Sequence, residues 1–229
     1  MSDMIETIIQ RPDAVQRFRI LWRLTRLRYL IFAPIWLWLL AAPAWAAIAF
    51  DGSASGKSAT ATLATTGGIT TAGTNRIIVA LISTIDSTAA PTVSSISGGS
   101  LTWNHTRYAS GSQPIGSSLF ADTEIWWALA PSSLSAATIT ATLSGAPSFS
   151  GDIAVFGVSG ANTSSPFDPN GSLPAAVVSA NASAAPSVSG ISTTNANALL
   201  FAVTQQGNVP KTANPPAGWD DYQRFEHRL

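Results

Sequence analysis

The sequence predicts an exported, all-β domain of antiparallel strands, and three observations carry that expectation. An apolar run follows a cluster of arginines near the start. The rest of the chain breaks into short extended runs separated by Gly, Pro, Ser and Asn. No cysteine is present to staple a smaller fold. Regular short runs with turn residues between them are the pattern of a sandwich or barrel.

The leader comes first. Residues 30–46, LIFAPIWLWLLAAPAWA, follow Arg17, Arg19, Arg23, Arg26 and Arg28 and end in Ala44-Trp45-Ala46. A positive flank, an apolar core and a small-x-small exit are the three parts of a secretory signal. Pro34 and Pro43 argue against a buried core helix, which would lose hydrogen bonds at each. Residues 1–46 are therefore expected to be a basic N-terminal extension and a signal helix. If the signal is not cleaved, the apolar run continues through Ala47-Ile48-Ala49-Phe50, and that length spans a bilayer. The arginines then stay inside and residues 47–229 lie outside, secreted or on the cell surface. Membrane contact is confined to the N-terminal segment. The long basic stretch is read either as a cytoplasmic extension or as sequence upstream of a true start at Leu24.

The expected domain, residues 47–229, differs in character from the leader. The whole chain is 46% hydrophobic and only 10% charged. In the domain six basic residues (Lys57, Arg76, Arg107, Lys211, Arg224, Arg228) face nine acidic ones (Asp51, Asp86, Asp122, Glu124, Asp152, Asp168, Asp220, Asp221, Glu226), a net of −3. No basic field exists to hold nucleic acid or an anionic membrane surface. The length suits one all-β domain large enough to bury a core without disulfides. Ser, Thr, Asn and Gly replace charge as the solubilising residues, which suits pleated surfaces and turns.

In chain order, strands are expected over residues 59–65, 76–84, 92–97, 101–108, 123–130, 137–143, 152–158, 177–180 and 198–205. The run Ile77-Ile78-Val79-Ala80-Leu81-Ile82 is apolar on both faces, so it should be a central strand covered on both sides. No helical periodicity persists over three turns of the domain.

Several motifs resemble chemistry and are better read as structure. Gly52-Ser53-Ala54-Ser55-Gly56-Lys57-Ser58 has three residues between its glycines, whereas a phosphate-binding loop needs four and a following helix. A turn leading into the first strand is expected there. Gly157-Val158-Ser159-Gly160-Ala161 is one position from a nucleophile elbow, but a loop follows it and the two histidines are His105 and His227. With no cysteine and two distant histidines, zinc is not expected. Asp168-Pro169-Asn170-Gly171-Ser172 places Asp168 and Asn170 as candidate oxygen ligands for calcium, although a plain Asx-turn has the same sequence. The Asn-x-Ser/Thr matches at Asn104, Asn162, Asn170 and Asn181 follow from the Ser/Thr richness.

Aromatics give the functional lead. On a strand, Trp126 and Trp127 must point to opposite faces. Ile125, Trp127 and Leu129 make one apolar face, expected to be the core. Trp126 then shares the other face with Glu124, and Asp122 lies on the same side. A ring beside a carboxylate on a sheet face can stack on a sugar and hydrogen-bond its hydroxyls, so Trp126, Glu124 and Asp122 are the candidate ligand-binding residues; the alternative, which the sequence favours, is that Trp126 is covered by a loop or a neighbouring layer. The same two acids are the only candidate pair for glycoside hydrolysis.

Five segments carry a resemblance in their order and spacing: Asn75-Arg76-Ile77-Ile78-Val79, the turn Ser97-Gly98-Gly99-Ser100-Leu101-Thr102, Glu124-Ile125-Trp126-Trp127-Ala128, Gly157-Val158-Ser159-Gly160 with Pro166-Phe167-Asp168, and Pro216-Ala217-Gly218-Trp219. Together they resemble a widespread family of exported bacterial and phage-associated jelly-roll sandwiches, similar in architecture to concanavalin-type lectin domains. The resemblance implies a jelly-roll-like β-sandwich used for binding or display; it brings no functional residues with it. The expected role is a non-catalytic surface or secreted module that binds a glycan or another cell-surface component. No cofactor is expected beyond calcium. A structural or virion-type display or adhesion protein is the second expectation, and a polysaccharide-active enzyme the third. Domains of this family usually continue past the Gly-Trp turn. The charged tail from Asp220 to Leu229 is therefore expected to open a further segment of the sandwich.

Overall fold

A computed structural model describes residues 47–115, 118–175, 191–203 and 205, and all of them belong to the part of the chain that begins at residue 46. The described residues are all-β, with nine strands and no helix: β1 Ala49–Ser58, β2 Thr62–Ala64, β3 Arg76–Asp86, β4 Val93–Gly98, β5 Trp103–Ala109, β6 Gln113–Pro114, β7 Phe120–Ala130, β8 Ile139–Leu143 and β9 Ser150–Ser159. Every pairing is antiparallel. Six strands form sheet A in the order β1-β9-β3-β7-β5, with β6 also on β7; β2, β8 and β4 form sheet B. The arrangement is β-sandwich-like, as the strand spacing predicts. The expected signal helix and the strand expected over 177–180 lie outside the described residues.

β3 is the centre. It pairs with β7 on one side and β9 on the other, and all eleven of its residues are buried. Its alternate residues feed two different cores. Ile78, Ala80 and Ile82 face sheet B and pack with Leu63, Ile139, Ala141, Leu143, Ile153 and Val155. Ile77, Val79 and Leu81 face outward and pack with Ala154, Phe156 and Val158. A strand buried on both faces reads as a continuous apolar run, which is why this element is legible from its sequence.

Among the described residues the outer face of sheet A is covered by segments outside the strands rather than by a third sheet. Phe201 and Val203 pack against the outer core, the Phe201 ring lies 5.4 Å from that of Phe156, and the Ser83 hydroxyl donates to the Gln205 carboxamide. Phe201, Val203 and Gln205 are alternate positions, so the strand-like pattern over 198–205 is real. Yet the described residues of that segment are not a strand. They lie over the face of sheet A, where β9, β3 and β7 already have a neighbour on each side and offer no free backbone edge.

The first glycine-rich segment is a second correction. Residues 52–58 are not a turn; they belong to β1. Gly52 has φ +104° where the β1–β9 register shifts between Phe50 and Ser53, a backbone region that L side chains avoid. At Gly56 a Cβ would stand 1.8 Å from the Ala64 carbonyl oxygen. The glycine is what lets β1 approach β2, where Ser55 and Thr66 bridge and close one side of the sandwich. The spacing that mimics a phosphate loop is thus explained by a bulge and a close crossing.

Candidate functional site

β7 carries the residues from which a site can be built, and its period-2 alternation is the one the sequence predicts. The assignment of its two faces is reversed. Trp126 is only 9% exposed and belongs to the core between the sheets, whereas Leu129 is 37% exposed on the other side. The surface that carries Trp126, Glu124 and Asp122 is therefore turned inward and covered by sheet B. Bulk misleads here because the outer side of sheet A also has a covering. Ile125 and Trp127 pack partly against it, and so look like core residues in the sequence.

Two carboxyl groups are buried on the inner side, with Asp122 at 1% exposure and Glu124 at 3%. Buried polar groups persist only when their hydrogen bonds are made, and these are. Glu124 Oε1 accepts the Val93 amide of β4 at 2.7 Å, and Oε2 accepts the Trp126 indole N–H at 2.7 Å. One side chain thus ties the edge of sheet B to sheet A and fixes the rotamer of the central tryptophan. Asp122 Oδ1 accepts the Ser110 hydroxyl at 2.8 Å. Burial, and next a hydrogen bond with Glu124, push the Asp122 carboxyl up to about 7; the Ser110 hydroxyl pulls against them, the Glu124 charge adds to them, and the Thr123 amide opposes. The two acids stand at alternate positions of one strand beneath a second sheet, rather than facing each other across an open cleft.

A different cluster stands on the outer side. Trp127 meets Phe167 edge to face, with centroids 5.1 Å apart and planes at 82°. The Arg107 guanidinium carbon sits 4.6 Å over the Phe167 ring, a cation–π geometry. Asn104 of β5 is the register partner of Trp127, so a side-chain amide neighbours the indole. Leu129 flanks the group on the same strand face. Two aromatic rings, a guanidinium and an amide make a half-exposed surface able to stack on a ring and hydrogen-bond its substituents.

Asp168 holds this cluster in place. Its oxygens accept the amides of Asn170, Thr194 and Asn195, the Thr194 hydroxyl and the Asn195 carboxamide. Burial acts to raise this carboxyl, but the Asn170 amide and the Thr194 and Asn195 donors outweigh it and hold the group well below the ordinary range. Asn170 Oδ1 accepts the Ser172 amide, and its nitrogen donates to Ser192. At the candidate calcium loop, Asp168 and Asn170 therefore act as an Asx-turn staple. Five donors crowd a carboxylate with about four lone-pair sites, so its lone pairs point at hydrogens rather than toward a cation. Among the described residues no group of three or more His, Cys, Asp or Glu could hold a metal ion. The staple positions the adjacent Phe167, which explains why Pro166-Phe167-Asp168 reads as a motif.

Ser159, the serine of the elbow-like segment, ends β9 with its hydroxyl 3.5 Å from the Ala49 carbonyl, and a loop follows. Arg107, Phe167 and Asn104 are not legible in the sequence as neighbours of Trp127. The available signal was weak: a lone charge and an amide on one expected strand, and an aromatic after a proline in a loop. Comparison with family models, with curated proteins and with solved structures found no match to this chain.

Proposed function

We propose that this protein is an exported, non-catalytic binding module of the jelly-roll sandwich class, and that its ligand is a cell-surface glycan held at the outer cluster of Trp127, Phe167, Arg107 and Asn104. The observation that carries this reading is the half-exposed pairing of Trp127 with Phe167 beneath Arg107. Aromatic rings stack on the apolar face of a pyranose, and the guanidinium and amide supply directional donors to its hydroxyls. Trp127 stands on β7, Asn104 and Arg107 on the neighbouring strand β5, and Phe167 in the loop stapled by Asp168, so part of the ordering cost of binding is met by the fold. Export is supported by the arginine-flanked apolar run over residues 30–46. No metal or cofactor is needed for this chemistry.

A glycan array probed with the purified protein tests the proposal. Trp127→Ala should abolish the array signal and Asn104→Ala should weaken it about tenfold, the cost of one good hydrogen bond. Wild-type protein that binds no glycan, or Trp127→Ala protein that binds as well as wild type, would overturn the reading.

A further inference from the structure

We infer that the glycan held at the outer cluster is acidic: the sugar that stacks on Trp127 carries an anionic group, and Arg107 binds it. The inference rests on the binding role proposed above and names the class of sugar that fills the site. It follows from where the domain spends its charges.

The described acidic side chains all have donors within the fold. Asp51 takes the amides of Ala72 and Gly73 and the Arg76 guanidinium. Asp86 takes Thr88, Ala89 and Ser148. On the inner face Asp122 takes the Ser110 hydroxyl, and Glu124 takes the Val93 amide and the Trp126 indole. Asp152 stands 4.0 Å from Lys57. Asp168, beside Phe167 in the chain, is filled by donors from Asn170, Thr194 and Asn195.

The described cations are matched in the same way, with one exception. Lys57 has Asp152, and Arg76 has Asp51 together with the Ala72 and Ala130 carbonyls. Arg107 has the face of Phe167, 4.6 Å from its guanidinium carbon. Among the described residues no oxygen accepts from it. A ring face attracts the charge but does not satisfy the planar fork of five N–H donors as paired oxygens do. A uronate carboxylate and a sulfate ester both bring such oxygens on a pyranose, and the resulting bonds are charge-assisted.

The surroundings favour an anion at this point. The other outward residues of β7, Thr123, Ile125 and Leu129, are uncharged, while both acids of that strand are turned inward. Asn104 stands opposite Trp127 in register, and among the described residues its amide also has no partner. The cluster therefore presents a cation for the anionic group and a neutral amide for ring hydroxyls. The domain as a whole is acidic, but that field is screened beyond about 8 Å at physiological salt, so the contact at Arg107 decides.

An array of matched pairs, probed with the full chain at pH 8 where histidines are neutral, tests the inference. One arm sets oligouronates against their methyl esters; the other sets sulfated galactan oligosaccharides against their desulfated forms. Each pair keeps the ring and changes the charge, and the two arms show which anion is bound. In one arm or both, the charged member should bind about tenfold or more tightly than its neutral partner, with the gap narrowing as salt is raised. Arg107→Ala should bring the two members of a pair to equal affinity, and Trp127→Ala should abolish both. Neutral members bound as tightly as charged ones, with Trp127→Ala still abolishing the signal, would leave the binding surface standing and overturn its acidic specificity. A charge preference that survives Arg107→Ala would overturn it too, and no signal from any member would overturn both readings. The pairwise comparison is made on wild-type protein, so it decides even if a variant does not fold.

Discussion

The two faces of β7 divide the work of the molecule. Inward, Trp126 and Glu124 form one unit with the Val93 amide, and every polar atom of that unit has a partner inside the sandwich. Outward, Trp127 and Leu129 keep part of their surface in water although they are as apolar as anything in the core. Polarity therefore does not separate inside from outside here; hydrogen-bond satisfaction does. A carboxylate goes inside when an amide and an indole wait for it, and a tryptophan stays half outside when its covering, Phe167 and the outer core, reaches only part of the ring.

The largest expected effect sharpens that contrast. Trp126→Ala removes a central core ring and should cost about 3–5 kcal/mol in denaturant unfolding, with Glu124 Oε2 losing its donor as well. Trp127→Ala should cost less than half as much, because part of the ring is already solvated. The comparison breaks if Trp127 proves the costlier deletion.

How much of this was legible depended on whether a segment's environment could be read from its own pattern. β3 was legible because burial on both faces leaves only apolar residues between Ile77 and Ile82. The alternation of β7 was legible as well, but its direction was not. Direction depends on what covers each face, and the coverings of sheet A come from distant segments: Leu63 and Ala141 on one side, Phe167 and Phe201 on the other. Gly56 shows the same limit, since its need is set by the Ala64 carbonyl of another strand. The segment over 198–205 was misread for a related reason: its alternation is genuine, but a strand also needs an edge to pair with.

The acids extend the comparison to pH, with opposite signs for a carboxyl between the sheets and one at the end of β3. Asp86 leaves β3 for the loops, and burial raises its carboxyl. The hydroxyl and amide of Ser148 and those of Thr88 overcome that and hold it well below the usual value of 3.8. Its contribution is present above about pH 4 and is lost as pH falls toward its folded value. Asp122 is shifted the other way, so its contribution is complete below 3.8 and is lost as pH rises toward about 7. Unfolding free energy should therefore peak in mildly acidic solution and fall on both sides. Asp122→Asn should flatten the alkaline limb and spare the acid one. Asp86→Ala should lower stability at the peak by about 1–3 kcal/mol, the cost of buried donors left unpaired, and shrink the acid limb; Asp168 sustains what remains of it. A profile that rises steadily to pH 8 would show that the inner and loop acids do not differ in sign.

The smallest expected effect on stability is also the one that bears most directly on function. Arg107 touches the fold through the face of Phe167, and a partly exposed cation–π contact is worth about 0.5–1 kcal/mol. Arg107→Ala should lower unfolding free energy by no more than that. If the outer cluster is the binding surface, the same change removes a fork of donors from the ligand and uncovers the ring beneath it, so affinity should fall by about tenfold or more. Arg107→Lys keeps the charge but loses the planar stacking and the fork, and should recover stability more fully than binding. Loss of stability and affinity in equal measure would make Arg107 a clamp for the Phe167 loop, leaving the outer face of β7 as structural as the inner one.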